Sequence, residues 1–164
     1  MIDEARLGTY LQDHYAGSVA GSELFKRAAE QQSDPAVRAA LARMVEKVEA
    51  ERSTLEGFLR AIGSKPDPVK NAGAWVVEKL GRFKPNGELI RRSPLSDIVE
   101  LEGLRLAVEG KAAGWRVLRR LADDDERLSA KELDDLIADA QKQTDELEGF
   151  RMDSAVKVFL RQQP

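Results

Sequence analysis

Along four stretches of this chain apolar residues return every three or four positions, and each stretch is bracketed by residues that start or stop an α-helix. The second stretch opens on Asp34 and Pro35: a side chain that accepts from the orphan N–H groups of a first turn, then a ring whose missing N–H costs nothing there. Ser93 and Pro94 repeat that signal, and Ser129 with Glu132 three residues on forms a capping box. Gly63 supplies a stop after the second stretch. Ala, Leu, Glu, Lys and Arg fill the stretches and strand-like alternation is scarce. The spacing predicts an all-α fold with helices over residues 3–32, 34–62, 94–122 and 129–160.

Each such helix, of roughly 28 to 32 residues, would span about 42 to 48 Å. A chain of 164 residues suits one domain, here a single helical bundle over residues 1–164, burying roughly 70% of its unfolded surface. Short connections make the first two helices one antiparallel hairpin and the last two another. Residues 63–93 are too many for a turn and read as a long, partly helical crossover. Its helical part lies near residues 72–83, where Trp75, Val76, Leu80 and Phe83 can lie on the bundle flank. Such a crossover lets the third helix start where the second began, an up-down-down-up order. With that architecture, VELEGLRLAVEGKAAGWRVL in the third helix and AQKQTDELEGFRMDSAVKVF in the fourth, the chain resembles the ferritin-like superfamily. More narrowly, it resembles bacterial members without the usual di-iron ligand motifs. The resemblance implies a ferritin-like four-helix bundle.

A ferritin-like di-iron site takes one Glu from each of two helices and a Glu-x-x-His pair from each of the other two. No Glu-x-x-His occurs here, and His14 is the one histidine. Arg52 and Arg151, near the expected metal level, oppose a further cation. No cofactor is therefore expected. The metal alternative, iron or another divalent ion, rests on His14, Glu51 and Glu100, with Tyr10 or Tyr15 nearby. A heme held by His14 with Met44 or Met152 has no attachment signature.

Advancing 100° per residue leaves a set of polar residues on or beside the inner faces: His14, Glu51, Arg52, Glu100, Lys111, Gln143 and Arg151. Charges are rarely buried unless paired, so a His14–Glu51–Lys111 layer with Gln143 at its level and a Glu100–Arg151 pair nearer the other end are expected. Glu102, Arg105, Glu109 and Arg116 share the opposite side of the third helix, a solvated face. Glycine costs about 1 kcal/mol in a helix, so Gly17, Gly21, Gly103, Gly110 and Gly114 need a reason. Close packing of the first helix on the third is expected, although the same small residues suit a homodimer.

A net charge of −3 argues for neither nucleic acid nor membrane, and the absence of cysteine excludes thiolate sites and disulfides. No run of about 18 apolar residues and no basic, apolar leader occurs, so a soluble cytoplasmic protein is expected. The crossover is locally basic, with Lys65, Lys70, Lys79, Arg82, Lys84, Arg91 and Arg92. No Ser-His-Asp or Cys-His arrangement can be assembled around His14. The chain reads as a non-catalytic bundle, an interaction or structural module with a protein partner or a second copy. The alternatives are a divergent metal-binding oxidoreductase and a binder of an acidic partner through the crossover.

Overall fold

The computed structural model describes residues 2–67 and 93–160. The crossover's helical stretch, its four apolar residues and all its basic residues but Lys65 lie outside them. Four helices run over Glu4–Gln31 (α1), Pro35–Ala61 (α2), Pro94–Leu121 (α3) and Ala130–Phe159 (α4), with no strand among the described residues. Their starts are set locally. Asp3 accepts from the Arg6 N–H, Asp34 from Ala36, Ser93 from Leu95 and Ser129 from Glu132. Ser96 returns the bond to the Ser93 N–H, completing a capping box. At the end of α2, Gly63 takes a φ of 77°, a left-handed conformation that a side chain would strain.

α1 and α2 lie side by side with Tyr15 donating to Glu56 at 3.0 Å and Lys26 paired with Glu49 at 2.8 Å. α3 and α4 pair likewise through Arg119 and Asp134 at 2.8 Å and Arg105 and Glu148 at 3.2 Å. The two hairpins meet chiefly where α1 faces α3.

The core is two apolar clusters rather than one. One gathers Phe25, Leu41, Met44, Val48, Leu101, Leu104, Val108 and Leu147; the other gathers Leu7, Leu11, Leu55, Phe58, Leu59, Trp115, Leu118 and Leu133. Between them lie the polar residues of the middle turns. At one end Arg127, on the turn from α3 to α4, bonds Asp125 and Glu4 of α1. Hydrogen bonding by Arg127 holds the Asp125 carboxyl down at about 2. At the other end Gln32 is fully buried, donating to the Asp97 carbonyl at 3.1 Å and to Glu100 at 3.3 Å, while Ser33 donates to the buried Asp97 carboxylate. Arg38 closes the same turn on the Gln32 carbonyl at 2.6 Å.

Candidate functional site

The interior polar residues sort into three places rather than the two expected. Glu51 of α2, Lys111 of α3 and Gln143 of α4 form a closed triangle. Lys111 Nζ donates to Glu51 Oε2 and, at 2.7 Å, to Gln143 Oε1, while Gln143 Nε2 donates to Glu51 Oε1 at 2.8 Å. Glu51 and Gln143 are buried, with Thr144 beside them in the chain also buried. Burial pushes the Lys111 ammonium below the usual lysine range, a shift that Glu51 opposes. Both carboxylate oxygens of Glu51 are thus engaged by two other helices, and the triangle holds three helices in register.

His14 is packed a turn further along α3. Its ring lies edge-on to Tyr10, with centroids 4.6 Å apart, and against the α3 backbone at Gly114. A Cβ at Gly114 would stand 2.9 Å from Cε1 and Nδ1 of the imidazole, so only glycine leaves room for that ring. Burial raises the Tyr10 phenol above its ordinary value.

The expected Glu100–Arg151 pair is corrected. Arg151 turns along its own helix to Glu148 at 2.7 Å and across to Glu102 at 3.8 Å, while Glu100 accepts from Gln32. Both side chains are half-buried at the margin of α3 and α4, where a guanidinium reaches partners nearer water at a lower desolvation cost. Glu102 therefore belongs to this network as well as to the exposed face assigned to it.

Close packing at every glycine is corrected too. A Cβ at Gly21 or Gly110 would meet nothing within 4 Å, and at Gly103 only Leu24 at 3.9 Å. Gly21 and Gly110 open space instead of closing it, while a Cβ at Gly103 would stand in ordinary contact with Leu24 across the seam. Between α1 and α3 lies a cleft of about 510 Å³, walled by Gly17, Gly21 and Phe25 on one side and by Gly110, Gly114 and Trp115 on the other. Val48, Glu51, Arg52 and Leu55 of α2 form its floor, and Tyr10, His14 and Asp13 line one end. Trp115 is 3% exposed, and its indole N–H has no partner among the described residues.

Arg52 was placed with the inner polar group by its angle on the helix, and the structure sets it in this cleft. It makes no hydrogen bond or ion pair with the described residues, and its charge acts on Glu49 and Tyr15. The sequence signal for the cleft was present in Gly17, Gly21, Gly110 and Gly114, four apart on each helix. Gln32 and Asp97, buried at helix ends, carried no periodic signal at all.

Among the described residues no three His, Asp or Glu side chains gather as a metal would need. His14 and Glu51 both line the cleft, and Glu100 lies outside it, bonded to Gln32. No helix of the described residues is long and apolar enough to cross a membrane. Compared with known proteins, the chain matches no family model, no curated protein and no solved structure.

Proposed function

We propose that this chain is a non-catalytic, ligand-holding helical bundle of ferritin-like up-down-down-up order, its ligand lying in the cleft between α1 and α3. The cleft carries the reading. At about 510 Å³ it falls within the range of small-molecule sites, and it has their make-up of apolar walls with a few polar groups. Gly21 and Gly110 at its wall, which cost helix stability, have free space above them where packing asks for no glycine. The non-catalytic part rests on Glu51, Lys111 and Gln143, which satisfy one another and present no group poised for proton transfer.

Support for the helix order comes from three sets of contacts. Tyr15 with Glu56 and Lys26 with Glu49 run α1 against α2; His14 at Gly114 and Gln32 at Glu100 run α1 against α3; Arg119 with Asp134 and Arg105 with Glu148 run α3 against α4. An environment-sensitive apolar dye tests the ligand reading. One dye per folded chain, lost in Gly110→Leu, is the expected result. Equal uptake by that variant overturns it.

A second reading, a homodimer, has its own observation. Leu95, Val99, Leu106 and Val117 are exposed along one line of α3. Leu95 and Val117 stand equally far from Leu106, so antiparallel pairing of two copies about Leu106 sets each against the other. Sedimentation equilibrium of the wild type and of Leu106→Glu tests it, a monomer in both cases being the negative result.

A further inference from the structure

We infer that the ligand of the α1–α3 cleft is a small amphiphile with an unbranched apolar chain and a single carboxylate, its anionic end held by Arg52; this rests on the ligand reading above. Shape comes first. Along α1 the lining runs from Tyr10 to Phe25 and along α3 from Ala107 to Leu118, so the cleft is about 16 to 22 Å long. A volume of about 510 Å³ drawn out over that length is an elongated slot, which suits an extended chain. The walls beside it are Leu11, Phe25, Val48, Leu55 and Val108.

Charge then orients the occupant. Four ionised side chains line the slot: Asp13, Glu51, Arg52 and Lys111. Glu51 and Lys111 neutralise each other, with Gln143 taking the remaining bonds. That leaves Arg52 and Asp13, neither bonded to a described residue; Glu49, outside the slot, is within electrostatic reach of Arg52 but is bonded to Lys26. Asp13 is exposed and its charge is screened by water, whereas Arg52 is half-buried, where pairing with an anion gains more. A guanidinium presents a planar fork that fits a carboxylate or a phosphate, and one guanidinium balances the single charge of a carboxylate but leaves a phosphate monoester under-neutralised in a half-buried site. Asp13 lies towards the Tyr10 end, eight residues along α1 from Gly21, and repels an anion placed there. The carboxylate is therefore directed to Arg52 and the chain runs away from it along the glycine-lined walls.

The test is calorimetric titration of the full chain with decanoate, decanol and decylamine. Decanoate is expected to bind one per chain and decanol about tenfold more weakly, the worth of one charge-assisted hydrogen bond. Arg52→Gln should bring decanoate to the affinity of decanol, and Gly110→Leu should abolish both. Decanoate binding unchanged by Arg52→Gln, or decylamine binding more tightly than decanoate, overturns the carboxylate assignment and leaves the ligand reading standing. If none of the three binds the folded wild type and the apolar dye fails as well, both fall together.

Discussion

His14 and Gly114 are fitted to each other at atomic distance, and that fit can be tested by a methyl group. Alanine at Gly114 gains helix propensity, yet its Cβ would press the imidazole from 2.9 Å, and that ring is also packed edge-on against Tyr10. Overpacking of this kind costs about 1–3 kcal/mol. Gly114→Ala is therefore expected to destabilise the chain, and His14→Ala in the same chain to restore most of the loss. Urea denaturation of both singles and the double forms the cycle, and additive effects would show that the two sites do not touch. The triangle of Glu51, Lys111 and Gln143 has a different arithmetic. Lys111→Met strands the Glu51 carboxylate in the core and is expected to cost about 3–5 kcal/mol, whereas Lys111→Met with Glu51→Gln removes both charges and should recover most of it. An equally large loss in the double variant would mean that the charges themselves stabilise the fold.

The helices were legible because their ends are written locally. Asp34 with Pro35, Ser93 with Pro94 and Ser129 each act on N–H groups two or three residues away, so the four spans came out within a residue or two of those observed. What lay between helices was less so. Gly21 and Gly110 announce only that a side chain is missing, and whether backbone or open space takes its place depends on a neighbour far away in sequence. Glu100 and Gln32, 68 residues apart, met for the same reason without warning. So did Arg127, which ties the α3–α4 turn to Glu4. That clamp has a pH signature. The Asp125 carboxyl is held at about 2 against an ordinary 3.8, so the folded chain binds its proton less readily than the unfolded one. The stability it contributes is complete above the ordinary value and is lost as pH falls through that interval towards 2. Arg127→Gln should lower the Tm at neutral pH, with the difference from wild type shrinking between about pH 4 and 2. Parallel Tm curves across that range would dismiss the clamp.

At the scale of the molecule, two hairpins meet across a seam that is part contact and part cleft, and the direction in which they meet decides the helix order. His14 at Gly114, Leu24 at Gly103 and Gln32 at Glu100 advance along α1 while retreating along α3. The proposed up-down-down-up order runs α2 and α3 in parallel, and the bond of Lys111 to Glu51, each in the middle of its helix, fits that proposal. The chain lacks cysteine, so paired cysteines can be introduced without removing any. Leu24→Cys with Gly103→Cys is expected to cross-link readily with a short bifunctional maleimide, because those positions already stand within van der Waals reach. Leu24→Cys with Val117→Cys sets the second thiol 14 residues further along α3, about 21 Å away along the helix, and should not. A seam with α1 and α3 in parallel would bring position 24 opposite the C-terminal half of α3 and reverse the two results. The proposed up-down-down-up order would then fall, and with it the alignment of glycines along one continuous slot.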